Sequence, residues 1–215
     1  MIAGGKPNLI GISGKMGSGK DTLSIVINYV ADKFAPDSIG KWKQPVDEFV
    51  YENKKYSEKL KYMVCFLISC SRSDLEDREF KEKELGEEWD GLTPRKLLQL
   101  IGTEAGREII HPNIWVNALF ADYEKVMRTN ANRQPELFNY PNWIITDVRF
   151  PNEAQAIKDR GGILISIERP QLIERDFEHL SETALDDYDG FDYVINNDTN
   201  SVRDLVDKVK ELKIV

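Results

Sequence analysis

The chain has 215 residues, of which 41% are hydrophobic and 31% charged, and its formal net charge is −8. This length suits one domain with a full core, and the composition is that of an ordinary globular protein. An acidic chain without a basic patch of useful size is a poor candidate for binding nucleic acid. The longest apolar stretch, residues 62–70, is roughly half a membrane span, so no membrane partner is expected.

The N-terminal residues and the cysteines predict the cellular compartment of the protein. Residues 1–13 lack the charged region and long apolar run of a signal peptide. Cys65 and Cys70 lie five residues apart in a predicted helix and belong to no metal-like cluster, which favours two buried thiols in a reducing compartment. A cytoplasmic protein is therefore expected.

The first elements read as strand, glycine-rich loop and helix. Residues 8–13, "NLIGIS", are a β-rich run that predicts a buried strand entering a tight turn. After the loop, Leu23, Ile27, Val30 and Phe34 have the spacing of one helix face, and Pro36 is expected to end the helix. A less clear strand is placed near 38–43.

The loop between them almost matches the phosphate-binding pattern of Gly, four residues, Gly, Lys and Ser or Thr. Asp21 stands where the hydroxyl residue is usual, and Thr22 comes one place late. Glycines let successive N–H groups converge at a helix N-terminus, and a lysine adds a full positive charge. A glycine turn without a ligand is the alternative, which the flanking elements disfavour. The residues expected to bind a nucleoside triphosphate are Gly14, Lys15, Gly17, Ser18, Gly19, Lys20, Asp21 and Thr22.

The middle of the chain is predicted to be helical. Residues 57–70 have helical spacing, and residues 71–90, with thirteen charged residues of twenty, are interpreted as a solvated helix face. Thr93 and Pro94 are typical of a helix start, and this helix is expected to run to Ile110. A second helix is expected from Asn113.

Four residues of the helix from Pro94 share one face at 100° per residue, namely Arg95, Gln99, Gly102 and Gly106. Each glycine costs a helix about 1 kcal/mol against alanine. The stripe therefore indicates close approach, either by another helix or by a flat base. Arg95 and Gln99 on the same stripe favour a substrate.

The C-terminal half alternates apolar strands with helices. Strands are predicted at 143–148, 163–168 and 191–195, helices from Pro151 and at about 201–212, and a loop at 128–142. Strands that are apolar throughout and alternate with helices predict an α/β fold, with a mostly parallel sheet covered on both faces. With the glycine-rich loop, this is the three-layer P-loop NTPase type, in a single domain.

A carboxylate and a guanidinium follow the second clear strand. Asp147 lies at the carboxyl end of that strand, where P-loop folds orient Mg²⁺ or a hydroxyl. The alternative is that Asp147 caps the helix from Pro151. Arg149 lies in the same turn, and its fork of donors suits a phosphate.

Six blocks of sequence resemble one known family. They are "GKMGSGKDT", "DREFKEKEL", "TPRKLLQLIGTEAGREIIHPNIWVNAL", "IITDVRFPNEAQAI", "HLSE" and "FDYVINND". In this order they resemble the bacteriophage-type deoxynucleoside monophosphate kinases, P-loop kinases related to phosphomevalonate kinases. Residues 35–70 match least, and near "EKLK" only lysines stand where an aspartate or arginine is expected.

The resemblance implies transfer of the γ-phosphoryl of ATP to the 5′-phosphate of a deoxynucleotide, with Mg²⁺ held by Asp21 and Asp147. It implies a helical acceptor-binding insertion at about 44–128 and a closing lid at about 168–182. A site for two anions needs charge neutralisation. The resulting catalytic candidates are Lys20, Asp147, Arg149, Arg169 and Arg175.

The remaining candidate residues are those expected to bind the adenine of ATP and the acceptor nucleotide. The acceptor candidates are Arg78, Lys81, Arg95, Gln99, Arg107 and Trp115, and the adenine candidates, which are also good turn residues, are Asn196, Asn197 and Asp198. The expected partners are small-molecule nucleotides, and a homodimer is compatible with the sequence. If the chain is phage-encoded, the host cytoplasm is the expected location.

Three alternatives stay open at this point. A kinase of the same fold for phosphomevalonate or a ribonucleotide differs only in its acceptor. A nucleotide-controlled binding module would need an Asn-Lys-x-Asp motif, and "NKKY" at 53–56 does not match it. A motor ATPase on DNA would need an arginine-rich track.

Overall fold

The computed structural model describes residues 6–31, 50–133, 140–170, 180–199 and 201–215, without the side chains of 129–133. The chain falls into two compact units, Met1–Lys55 with Lys125–Val215, and Tyr56–Glu124. The predicted helix end at Phe34 and Pro36, the strand near 38–43, residues 171–179 of the lid and the side chain of Arg175 lie outside the described residues.

The first unit is built on a five-stranded sheet in the order β2-β3-β1-β4-β5. The strands are β1 (Leu9–Ser13), β2 (Glu52–Lys54), β3 (Trp143–Ile145), β4 (Ile163–Glu168) and β5 (Tyr193–Asn196). All neighbouring pairs are parallel, and Ile10 lies opposite Ile144 of β3 and Ile163 of β4. The predicted α/β class with a P-loop NTPase-type sheet is confirmed.

The described helices follow in chain order. They are α1 (Lys20–Ala31), α2 (Glu58–Ile68), α3 (Arg78–Glu82), a 3₁₀-helix (Glu87–Trp89), α4 (Pro94–Gln99), a π-helix (Leu100–Ile110), α5 (Ile114–Arg133), α6 (Pro151–Lys158), α7 (Leu180–Thr183) and α8 (Val202–Leu212). Within the described residues, every helix is too short or too polar to cross a membrane.

Helices cover both faces of the sheet. Ile10 and Ile12 of β1 belong to one buried cluster with Leu23 of α1 and Leu205 of α8. Successive strand residues point to opposite faces, and a Cβ at the intervening Gly11 would lie 2.6 Å from Ile157 of α6. The order helix, sheet, helix therefore gives three layers, with the carboxyl ends of the parallel strands at one edge.

Strand β2 was not predicted. Its three residues are polar and half-exposed or exposed, with Glu52 opposite Trp143 and Lys54 opposite Ile145 of β3. An edge strand of this length has no apolar pattern of its own. It forms because the backbone of β3 offers hydrogen-bonding partners.

The interpretation of residues 71–90 as a solvated helix face is confirmed for the exposure of most of these residues, but they do not form a continuous helix. The segment contains turns, α3 and the 3₁₀-helix. Asp77 starts a new helix, because its side chain accepts a hydrogen bond from the Phe80 N–H at 2.7 Å. Asp90 has a left-handed backbone, with φ of 49°, and ends the 3₁₀-helix.

The helix from Pro94 begins as predicted and then changes type. Thr93 Oγ1 accepts a hydrogen bond from the Lys96 N–H at 3.1 Å, and Pro94 is the first helical residue. From Leu100 to Ile110 the helix is a π-helix, in which bonds run from i to i+5. The spacing of 100° per residue therefore does not hold beyond Gln99.

The two glycines of this helix are explained by packing inside the second unit. A Cβ at Gly102 would lie 2.8 Å from Leu60 of α2, and one at Gly106 would lie 3.1 Å from the ring of Trp115. The inference that the stripe favours a substrate is therefore wrong for the glycines, which let helices approach closely.

The two cysteines are free, as predicted, but half-buried rather than buried. Cys65 lies in α2, whereas Cys70 follows the end of that helix at Ile68. The early end of α2 leaves Cys70 in a turn, with its N–H donating to the Cys65 carbonyl at 3.2 Å.

Candidate active site

The glycine-rich loop joins β1 to α1. Gly17 and Gly19 have φ of 86° and 105°, a backbone that other residues rarely adopt. A Cβ at Gly14 would collide with the carbonyl oxygen of Ile167 in β4. The glycine spacing is thus required both by the turn and by the close approach of the neighbouring strand.

The carbonyl groups of this loop accept hydrogen bonds from side chains. Lys20 Nζ donates to the carbonyls of Gly14 at 2.5 Å and of Lys15 at 2.9 Å. Asn197 Nδ2 donates to the Ser18 carbonyl at 2.8 Å, and Arg169 donates to the loop at 3.4 Å. The carbonyl dipoles are therefore satisfied by cations and an amide.

In contrast to these carbonyls, several backbone N–H groups just after the loop have no hydrogen-bond acceptor among the described residues. Among the described residues, the backbone N–H groups of Lys20, Asp21 and Thr22 have no acceptor, whereas the Leu23 N–H donates to Gly19. The Ser18 hydroxyl is buried without a hydrogen-bond partner in the same part of the structure. Unpaired donors at the N-terminus of a 12-residue helix are suited to an anion.

Charged groups converge on the Lys20 ammonium. Its pKa is lowered from 10.5 to about 8, because burial and the nearby Arg149 lower it more than Glu182, Asp21 and Asp147 raise it. The structure thus brings together the predicted residues Lys20, Asp21, Asp147 and Arg149. Their catalytic and metal-binding roles stay predictions.

Asp147 and Arg149 are positioned by the turn between β3 and α6. Asp147 is buried, with 9% of its surface exposed. The carboxylate of Glu153 accepts hydrogen bonds from the N–H groups of Arg149 at 2.7 Å and Phe150 at 3.1 Å. The Glu153 carboxylate therefore pairs with the two N–H groups that precede α6, whereas the interpretation of Asp147 as a cap of this helix stays an untested alternative.

Helix α7 and the residues just after it supply two acids that the sequence analysis did not select, Glu182 and Asp186. Arg149 Nη1 contacts the Glu182 carboxylate, and Lys15 Nζ donates to the Glu182 carbonyl at 2.7 Å and to the Asp186 carboxylate. In the sequence, this segment was indicated only by the block "HLSE", which was part of the family resemblance. It carried no chemical pattern of its own.

The carboxylate of Asp21 is 78% exposed and lies 3.3 Å from Lys55 Nζ. Lys55 follows β2 and was missed together with that strand. Thr22 is exposed. Among the described residues, no group of three or more acids, histidines or cysteines could hold a metal. Asp21 and Asp147 still fit Mg²⁺, because Mg²⁺ beside phosphates usually takes only one or two protein carboxylates.

The predicted adenine-binding residues lie where β5 ends. Asn197 contacts the loop through Ser18, as described above, and its N–H donates to the Glu168 carbonyl at 2.6 Å. Lys208 of α8 donates to the Asn196 carbonyl and to Asp198, at 2.6 and 2.7 Å. These contacts form the predicted turn, and base binding stays a prediction.

The acceptor candidates lie in the second unit, and two of the basic ones differ in their partners. Arg95 Nε donates to Glu82 at 2.6 Å. Within the described part of the chain, the Lys81 ammonium has no hydrogen bond or ion pair. Burial and the nearby Arg95 and Lys61 lower its pKa, and the nearby Glu76 and Glu82 oppose the shift. Lys81 is thus a half-buried cation without a paired carboxylate, which suits an anionic ligand.

The other acceptor candidates show no common site. Trp115 is buried, and its indole N–H donates to the Gly102 carbonyl at 2.7 Å. Arg107 donates to the Pro112 carbonyl at 3.5 Å. Gln99 is half-buried and Arg78 exposed. Acceptor binding by these four residues stays a prediction.

Comparison with known proteins gives consistent results. A model of the family described as deoxynucleotide monophosphate kinase matches residues 49–209. A protein of Acanthamoeba polyphaga mimivirus, assigned by name to the deoxynucleotide monophosphate kinases, is 30% identical over 89% of this chain and 89% of its own. The deoxynucleoside-5′-monophosphate kinase of Escherichia phage T5 is 27% identical, covering 82% and 84%.

A third relative, an uncharacterized protein of Ictalurid herpesvirus 1, is 34% identical over 54% of this chain and 47% of its own. The family model covers most of the chain, and the mimivirus relative aligns over nearly all of it. The phosphate loop lies outside the matched residues 49–209. The chain belongs to the deoxynucleotide monophosphate kinase family.

Proposed function

We propose that the protein transfers the γ-phosphoryl of ATP to the 5′-phosphate of a deoxynucleoside monophosphate. Family membership implies ATP use, usually with a divalent metal, and a small nucleotide as substrate. The observation that carries the proposal is the half-buried Lys20 ammonium on the loop carbonyls, beside N–H donors that have no acceptor among the described residues. A triphosphate would pair with both.

The residues around the loop would bind and orient the triphosphate. The N–H groups at the start of α1 would hold phosphate oxygens, and Lys20 would move from the loop carbonyls to the β- and γ-phosphates. Arg149 and Arg169 would neutralise the charge that develops during transfer. No residue is needed as a base, because the acceptor phosphate is already ionised.

We assign Mg²⁺ to Asp21 and Asp147, which both lie near Lys20. When bound, Mg²⁺ neutralises phosphate charge and orients the leaving group. Asp147 is the buried carboxylate of the two, and Asp21 the exposed one. This arrangement suits one direct ligand and one that acts directly or through water.

We assign the acceptor phosphate to the basic residues of the second unit, with Lys81 as the main contact. Its lowered pKa and lack of a paired carboxylate support this role. Arg95 and Arg78 are supporting candidates. The absence of nucleic acid and membrane partners, a homodimer and a host-cytoplasmic location stay predictions.

A substrate panel tests the proposal. Purified protein with ATP and Mg²⁺ would be offered the four common deoxynucleoside monophosphates, their ribonucleotide counterparts and phosphomevalonate, and the diphosphate product would be measured directly. We expect product from at least one deoxynucleotide, at higher kcat/KM than from its ribonucleotide. Turnover of phosphomevalonate or ribonucleotides alone would contradict the proposal.

A further inference from the structure

Helix α7 brings an acid to the basic side chains around the phosphate loop. The carboxylate of Glu182 contacts Arg149, and its carbonyl accepts the ammonium of Lys15. The Glu182 side chain is 19% exposed and that of Arg149 is 40% exposed. Glu182 is therefore the more buried member of the pair, although acids are rarely buried unless they are paired.

Arg149 is held at both ends. Its backbone N–H donates to Glu153, which is 1% exposed and fixes the start of α6. Its side chain contacts α7 through Nη1, which reaches the Glu182 carboxylate and, at 3.5 Å, the Ser181 carbonyl. A flexible side chain fixed at its base and near its tip loses little further freedom on meeting a ligand.

One edge of the Arg149 guanidinium, formed by Nε and Nη2, makes no hydrogen bond to the described residues. A guanidinium has five donors, and Nη1 accounts for the side-chain contacts of Arg149 with the described residues. The Nε and Nη2 donors have no acceptor within that part of the chain. A carboxylate that simply replaced a missing phosphate would be expected to take this edge bidentately. Glu182 instead leaves it available.

We propose that Glu182 is a positioning residue for phosphoryl transfer: it holds Arg149 by Nη1 so that the Nε and Nη2 edge can bind a phosphoryl oxygen. Transfer breaks the bond between the γ-phosphorus of ATP and its bridging oxygen and forms one to an acceptor oxygen. Glu182 takes up no proton in this step. The proposal rests on the proposed kinase function.

The test uses two substitutions of Glu182 and one charge-matched control. Glu182→Ala should lower kcat about 100-fold, close to Arg149→Ala, since a misplaced catalytic group costs on this order. Glu182→Gln keeps an acceptor for Nη1 and should lower kcat about 10-fold. Asp187→Asn removes the same charge from an exposed side chain nearby and should leave kcat unchanged. KM for ATP should change less than threefold throughout.

A double-mutant cycle separates positioning from a structural role. Glu182→Ala should have no further effect on kcat in the Arg149→Ala background, because residues that act through one another are not additive. Additive effects, or wild-type kcat in Glu182→Ala beside an impaired Arg149→Ala, would overturn the inference and leave the kinase function intact. A wild-type protein that phosphorylates no deoxynucleotide would instead overturn the proposed function.

Discussion

Two basic side chains at the phosphate loop of the first unit have hydrogen-bond partners of a different kind from those of two basic side chains in the second unit. In the first unit, Lys20 is held by backbone carbonyls, and Arg169 donates to the carbonyl of Gly17. In the second, Lys61 lies 2.9 Å from Glu76, and Arg95 lies 2.6 Å from Glu82. A carbonyl orients a cation without cancelling its charge, whereas a carboxylate does both.

The difference indicates where an anion can bind without breaking an ion pair. A phosphate at the loop of the first unit would find charge that is already oriented, together with unpaired N–H donors. At Lys61 and Arg95 of the second unit it would compete with carboxylates, whereas Lys81 has no ion pair with another described residue. Acids are also present in the first unit, where Glu182 leaves one edge of Arg149 available.

The largest expected effect is the loss of Lys20. Lys20→Ala should lower kcat at least about 100-fold, on the order of 3 kcal/mol, because the ammonium neutralises charge in the transition state. Lys210→Ala, at an exposed lysine of α8, serves as the control. Near-normal turnover by a folded Lys20→Ala protein would remove the loop from the reaction.

The next prediction concerns acceptor binding in the second unit. Lys81→Ala should raise KM for the deoxynucleotide about tenfold, since a charge-assisted hydrogen bond contributes roughly 1.5–3 kcal/mol. Arg95→Ala should have a smaller effect, because Glu82 already neutralises Arg95. The matched control is Lys83→Ala, an exposed lysine just after α3. A larger effect at Arg95 than at Lys81 would contradict the comparison.

A smaller effect is expected at the exposed carboxylate of the loop. Asp21→Asn should raise the Mg²⁺ concentration for half-maximal activity several-fold, because a neutral amide is a weaker ligand for a hard cation. The melting temperature of the metal-free protein should change little, since the exposed pair with Lys55 contributes little. An unchanged Mg²⁺ titration would leave Asp147 as the metal-binding carboxylate.

The smallest expected effect concerns the stability of the second unit, in which Glu76 forms ion pairs with Lys61 and Arg72. Burial alone would raise the pKa of Glu76, but hydrogen bonds from Lys61 and Arg72 lower it from 4.5 to about 2. A carboxyl with a lowered pKa in the folded state stabilises the protein fully above pH 4.5, and this contribution is lost as pH falls towards 2.

Glu76→Gln should therefore lower the melting temperature at pH 7 by about 1–3 °C, because half-exposed ion pairs contribute up to about 1 kcal/mol. The difference from wild type should shrink when the melts are repeated at decreasing pH below 4.5. Glu79→Gln, at an exposed position of α3 without a side-chain contact to another described residue, is the control. A difference that persists at low pH would mean that packing, not charge, stabilises this unit.

Local sequence determined the features that depend on few neighbouring residues. The glycine and lysine spacing from Gly14 to Lys20 predicted the turn, because backbone sterics and a helix start act over only a few residues. The cores of β1, β3 and β4 followed from apolar runs, since strands buried on both faces exclude polar residues. The apolar run of β5 also predicted a strand, although only Ile195 of β5 is buried. Thr93 and Pro94 fixed a helix start for the same local reason.

Tertiary structure decided the features that depend on distant residues. Strand β2 forms against β3, and Leu60 and Trp115 pack against the glycines of the π-helix. Glu182 contacts the loop although it lies 167 residues along the chain from Lys15. No local pattern encodes such partners, because one short acidic segment is chemically like another. Only the packing of α7 within the first unit brings Glu182 to Arg149.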